Sequence, residues 1–143
     1  GCASMTSAAS KFPILTRTDE RGHLSALQRG DEAADFDVKR IYYLYGVPGD
    51  KRRGAHGHRA LEQILIAISG SFDVILDDGF ERRRFRLDDP REGLRVPRMY
   101  WRELENFSEN AVCLVLASEL HDEADYIWDY DAFVAAARGG RSP

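Results

Sequence analysis

Short apolar or alternating stretches, separated by Gly, Pro, Asn and Asp, run through nearly the whole chain. Residues 36–45 are rich in aromatic and β-branched types, which favours a strand. Because strand side chains alternate, Ile41, Tyr43 and Tyr45 share one face and Arg40, Tyr42 and Leu44 the other. Residues 64–68 are continuously apolar, as in a strand covered on both sides. Phe72, Val74 and Leu76 alternate with polar positions, Asp78-Gly79 is a hairpin turn signal, and residues 80–87 return with their arginines toward solvent. Residues 93–96, 97–106 (with Trp101 and Leu104) and 111–118 continue the series. Ahead of them lie an extended lead-in at 11–15 and a turn at 19–23. Only the C-terminus has a helical pattern, with Asp131 expected to cap a short helix over 132–138 that Gly139-Gly140 ends. Many short strands with one late helix, and no alternation of helix and strand, predict an all-β antiparallel barrel or jelly roll. It is expected to form a single domain over residues 11–143, with residues 1–10 an N-terminal tail outside it.

Composition narrows the function more than the fold. A length of 143 residues and 43% hydrophobic content suit one soluble domain with a substantial core. The net charge of −4 and the lack of a long basic block argue against a nucleic-acid partner. Lys51-Arg52-Arg53 and Arg82-Arg83-Arg84 are short and read as solvated turn and strand faces, with phosphate binding as the sharper alternative. No apolar run is long enough to span a membrane and no signal peptide is visible. The two cysteines make no disulfide framework, so a cytoplasmic location is expected, with Cys113 a small core residue.

The chemistry concentrates in residues 54–63. His56 and His58 stand at i and i+2, on one face of a strand, and both titrate near neutral pH. His23 and His121 lie in polar segments and read as surface residues, and the turn alone accounts for Asp77-Asp78-Gly79. Trp101, Phe107, Tyr126 and Trp128 read as core or interface, with base stacking by one of them as the alternative.

His56-Gly57-His58, Glu62 and Gly70 resemble the first motif of the cupin superfamily, whose metal-binding members use both histidines and the glutamate. The second motif would supply a third histidine, but the best match, residues 97–106, has Arg102 there and Met99 in place of a glycine. A guanidinium repels a divalent cation, so no metal is expected.

A narrower resemblance covers almost the whole chain. Asp19-Glu-Arg-Gly-His-Leu24, the run 38–45, Arg53-Gly-Ala-His-Gly-His-Arg59, Gln63-Ile-Leu-Ile, Leu76-Asp-Asp-Gly79, Trp101, Phe107-Ser108, Val115-Leu-Ala-Ser118 and Asp122-Glu-x-Asp-Tyr-Ile127 are similar to the cupin-fold (RmlC-like) nucleotide-sugar 3,4-ketoisomerases. Gly57 and Arg59 depart from the family, where Ala and Lys are common. The resemblance implies a cofactor-free isomerase that moves the keto group of dTDP-4-keto-6-deoxy-D-glucose from C4 to C3 through an enediol. It implies His58 as base, His56 as relay or oxyanion partner, and Tyr43 as the hydroxyl on the adjacent strand. Arg53 and Gln63 become candidates for holding the sugar or pyrophosphate, and Arg21-Gly22 the pair associated with a galacto-configured product on the way to Fuc3NAc-type sugars. It further implies a homodimer that exchanges an N-terminal strand. A metal-dependent cupin such as a dioxygenase, a non-catalytic sugar-nucleotide-binding cupin and a C3/C5 epimerase are the competing readings.

Overall fold

The computed structural model describes residues 8–31 and 34–139. The strands are β1 (Ser10–Pro13), β2 (Leu15–Asp19), β3 (Gly22–Ala26), β4 (Arg40–Tyr45), β5 (Arg53–His58) and β6 (Gln63–Ser69). They continue as β7 (Phe72–Asp77), β8 (Arg82–Leu87), β9 (Glu92–Val96), β10 (Trp101–Glu105), β11 (Val112–Ala117) and β12 (Tyr126–Ile127), followed by helix α1 (Tyr130–Gly139). One sheet has the order β1-β9-β6-β11-β4 and the other β12-β5-β10-β7-β8, with every pairing antiparallel. This is the expected all-β jelly roll with a short C-terminal helix. Phe72, Val74, Leu76, Leu94, Val96, Cys113 and Val115 fill the space between the sheets, each no more than 2% exposed. Sheet packing of this kind buries alternate side chains of both inner faces.

The arginines of β8 sit where the alternating pattern put them. Arg84 and Arg86 pair with Asp73, Arg82 with Asp77, and Arg84 also with Glu105, a lattice of ion pairs on the outer face of the second sheet. Those partners account for the basic run without a bound phosphate. At the β7–β8 turn the Asp78 carboxylate accepts the amides of Phe80 and Glu81, which holds the reversal that Asp-Gly announced.

The structure corrects the expected boundaries at three points. The tail is shorter than residues 1–10: Ser10 opens β1, and Ala9 is buried with its amide donated to the Tyr100 hydroxyl at 3.1 Å. The earlier tail residues, 1–7, lie outside those described. The strand expected over 36–45 begins only at Arg40. Helix α1 starts at Tyr130, and its cap is Asp129, whose carboxylate accepts the Ala132 amide at 2.8 Å, in place of Asp131. Gly140, the second expected terminator, lies outside the described residues.

Helix α1 lies against β5 and β12 with Phe133 fully buried. A Cβ on Gly57 would lie 2.6 Å from the Phe133 ring, so the glycine that departs from the family pattern makes room for this helix. Hairpin β2–β3 joins neither sheet, and its side chains are almost all exposed.

Candidate active site

A cavity of about 620 Å3 opens between the two sheets. Its apolar floor is Leu65, Val74, Val96, Leu104 and Val115, and its polar wall carries Arg40, Arg52, Arg53 and Arg102. Among the described residues no carboxylate lines it, although the chain as a whole is acidic. Arg52 is paired with Glu103 and Glu105, whereas Arg40 and Arg53 have no carboxylate partner among the described residues. Such a volume with a cationic wall suits an anionic ligand of small-molecule size.

His56 enters this space from a distorted strand. Opposite β10 the β5 register slips, with Arg102 facing His56 and Glu103 facing Gly54, so Ala55 is left over as a bulge at φ 60°. A bulge re-aims the side chains beside it, and a non-glycine residue at positive φ is kept only where its surroundings hold it there. Gly54, at φ 86°, sits so close to β10 that a Cβ would lie 2.9 Å from the Arg102 carbonyl oxygen. The two imidazoles end edge to face with centroids 4.9 Å apart, the side-by-side placement expected from their spacing.

Their surroundings differ. His56 lines the cavity, whereas His58 is 2% exposed and lies off its wall. His58 Nδ1 is 3.0 Å from the Asp125 carboxylate. That carboxylate is itself fixed by the amides of Ala60, at 2.7 Å, and Leu61, at 3.2 Å. With the carboxylate ionised, Nδ1 carries the proton and donates it, leaving Nε2 with the lone pair. Tyr126 and Trp128, stacked 4.7 Å apart, cover the pair: Tyr126 is 4.4 Å from the His58 ring and 4.9 Å from that of His56.

Burial, then the positive charge of Arg102, lowers the His56 pKa to about 4; the Gly54 backbone opposes this weakly, short of hydrogen-bond geometry. The same two causes, followed by its neighbour His56, also lower that of His58 against the pull of Asp125. Both rings are therefore neutral at pH 7, the form in which an imidazole can accept a proton.

Arg102 is 3% exposed and makes no ion pair among the described residues. One terminal nitrogen donates to the Gln63 side-chain oxygen and the other to the Tyr100 carbonyl at 3.0 Å. Gln63 in turn donates to the Tyr42 hydroxyl at 2.8 Å. Gln63 is thus spent on holding Tyr42 and Arg102 in place.

Against the sequence-based assignments, the structure brings His56, His58, Gln63 and Arg53 to one site. It revises Tyr43. Tyr43 borders the cavity, but β4 turns its side chain outward, 60% exposed, and Tyr42 is the tyrosine inside the barrel. The alternation along 40–45 was readable, but its parity was not. Arg21 and Gly22 are not brought to the site within one chain: they sit at the tip of hairpin β2–β3, where Arg21 pairs with Asp19 at 2.7 Å. Sequence reasoning missed Asp125 as a partner of His58, although Asp122-Glu-x-Asp-Tyr-Ile127 had stood out as a motif.

The cupin metal set does not form. Glu62 turns away to Arg95, at 3.2 Å, and the third-histidine position holds the Arg102 cation against the two imidazoles. The side chains present do not fit a divalent cation.

Comparison with known proteins identifies the family. Residues 5–138 match the family described as FdtA: WxcM-like, C-terminal. The chain is 44% identical, over 115 residues, to a TDP-4-oxo-6-deoxy-alpha-D-glucose-3,4-oxoisomerase of Aneurinibacillus thermoaerophilus, an alignment covering 80% of this chain and 82% of that one. It superposes with a TM-score of 0.84 and 42% identity on the TDP-quinovose 3,4-ketoisomerase WlaRB of Campylobacter jejuni, covering 88% of this chain and 96% of that one. The 3,4-ketoisomerase QdtA of Thermoanaerobacterium thermosaccharolyticum, solved as a His-to-Asn mutant with TDP-4-keto-6-deoxyglucose, superposes with a TM-score of 0.87 at 37% identity, covering 92% and 94%. The chain belongs to the FdtA, WxcM-like family of cupin-fold sugar 3,4-ketoisomerases.

Proposed function

We propose that the protein converts dTDP-4-keto-6-deoxy-D-glucose into its 3-keto isomer, with His56 as the base. The observation that carries this is a neutral imidazole at the wall of a cationic cavity, backed by a second one tied to Asp125. A base must reach the carbon it deprotonates. His56 lines the cavity and His58 does not, which favours His56 for the role of base that resemblance gave to His58. His56 removes the proton on C3; the C–H electron pair becomes the C3–C4 double bond, and the C4 carbonyl π pair moves onto O4. The Tyr42 hydroxyl, which lines the same cavity, takes the O3 proton as it gives its own to O4, while His58, held by Asp125, packs edge to face on His56 and keeps that ring in place. The His56 imidazolium, its proton exchanged with solvent, then protonates C4, leaving the ketone at C3 and no net change in charge. No external oxidant or reductant is consumed. Tyr42 offers the hydroxyl first sought at Tyr43, and Arg53 and Arg40 suit the pyrophosphate.

Arg21-Gly22 supports the galacto-configured product of a Fuc3NAc-type route. The 42% identity to an enzyme acting on TDP-quinovose, a 6-deoxyglucose, favours gluco as the second reading. NMR of dTDP-4-keto-6-deoxyglucose with the enzyme in deuterated buffer tests all of this together. The expected result is a 3-keto product carrying deuterium at C4, and the H3–H4–H5 couplings of the product after reduction report its face. An unchanged sugar, or deuterium at C5 alone, overturns the reading.

The protein is further proposed to act as a homodimer exchanging its N-terminal segment. A lone two-stranded hairpin is marginal in water, yet β2–β3 joins neither sheet. It exposes Leu15 and Leu24, while β4 exposes Ile41, Tyr43 and Tyr45 on its outer face. Exchange would explain why Arg21 lies outside its own chain's site. Sedimentation should give twice the 16.2 kDa chain mass, and Leu24→Glu should shift it toward the monomer. A parent that sediments as a monomer throughout rejects the proposal.

A further inference from the structure

A buried guanidinium with no carboxylate beside it is expensive to keep. Taking an ion out of water destabilises the folded chain unless a counter-charge offsets the lost hydration. Arg102 nevertheless sits 3% exposed on the cavity wall, held by two neutral oxygens, with its Nε buried and without a hydrogen-bond partner among the described residues. The neutral anchors fix its position without cancelling its charge. The ketoisomerase reading, on which the role of Arg102 rests, requires a negative charge to appear and vanish at O4 and O3 within this same cavity.

We infer that Arg102 is the site's fixed cation, supplying the positive charge against which the enediolate forms. The resting enzyme leaves that charge uncompensated, and the intermediate completes the pair. A preorganised charge in a water-poor site needs no rearrangement when the anion develops. The same charge adds to burial in keeping the imidazoles neutral before reaction, so one residue helps prepare the base and receives the anion. The other titratable groups facing the imidazoles are Asp125, just ahead of β12, Tyr126 from β12 and Tyr42 from β4, whose hydroxyl pKa is raised by burial. The charge of Arg102 acts on both imidazoles, after burial, to lower their pKa.

The test compares the parent with Arg102→Gln and Arg102→Lys, using dTDP-4-keto-6-deoxyglucose as substrate and dTDP alone as the binding probe. Arg102→Gln should lower kcat on the order of 10²-fold or more, the usual cost of removing a group that stabilises a transition-state charge, while dTDP affinity stays within about threefold. Arg102→Lys should recover part of the rate. NMR titration of the imidazoles should show them protonating at higher pH in Arg102→Gln than in the parent, a shift that a merely structural role would not produce. Equal kcat in all three proteins, or a loss confined to dTDP binding, overturns the inference. If neither variant folds, the parent titration decides: imidazoles that protonate near pH 6.5 show that no uncompensated cation faces them. A parent that leaves the sugar unchanged defeats the ketoisomerase reading instead, and the titration still reports on Arg102.

Discussion

His56→Asn should abolish isomerisation while leaving the nucleotide-sugar bound. Asparagine keeps a polar group on the cavity wall but cannot take up a proton, and general-base contributions are worth roughly 10²–10⁴ in rate. The expected result is a fall in kcat of that order, dTDP affinity within a few-fold of the parent, and loss of solvent exchange at C3. His58→Asn should differ in kind. It removes the ring that Asp125 orients and that packs on His56, so kcat falls less far and exchange at C3 persists. Measuring C3 exchange and product formation in both variants separates the base from the ring that supports it. If His58→Asn loses C3 exchange and His56→Asn keeps it, the roles revert to those the resemblance implied. If both keep kcat within threefold of the parent, the imidazole pair is not the proton carrier at all.

Folding stability should fall steeply in mild acid. An unfolded histidine titrates near pH 6.5, whereas His56 in the folded chain is lowered to about 4 and His58 is lowered as well. Between those values the unfolded chain binds protons that the folded chain refuses, so unfolding is favoured as pH drops. The stabilisation is fully present above about pH 6.5 and is lost as pH falls toward 4, at about 1 kcal/mol per pH unit for each imidazole. Over that window the loss from His56 is roughly 2–3 kcal/mol, a sizeable share of a small domain's total of about 5–15 kcal/mol. Asp125 works in the same direction at lower pH: its carboxyl is held below its ordinary value by the Ala60 and Leu61 amides and by His58, against the opposing effect of burial. Urea midpoints from pH 8 to 4.5 should fall, and more gently in His58→Asn than in the parent. A flat profile would mean that the native state already carries the protons, and that neither ring is the neutral acceptor the mechanism needs.

Much of this was readable one-dimensionally because it depends on neighbours in the chain. The i, i+2 spacing puts His56 and His58 side by side in any strand, and the period-two pattern of 72–76 and the Asp78-Gly79 turn dictate a hairpin whatever surrounds them. The substitution of Arg102 for a third histidine was equally visible, and it carried the expectation that this cupin would not hold a metal.

What needed the folded chain depends on groups far apart in sequence. Whether Tyr42 or Tyr43 faces the cavity is a question of strand parity, settled by the pairing of β4 with β11 across the sheet and not by anything within 40–45. Asp125 lies 67 residues from His58 and meets it because β12 adds to the edge of β5. The bulge at Ala55 exists only opposite β10. The sequence alone therefore determined which reactive groups exist and the jelly roll that carries them. The tertiary structure decided which ring lines the cavity, which carboxylate holds the other, and that the buried guanidinium has no carboxylate partner among the described residues, because each is a matter of long-range register that local pattern does not encode.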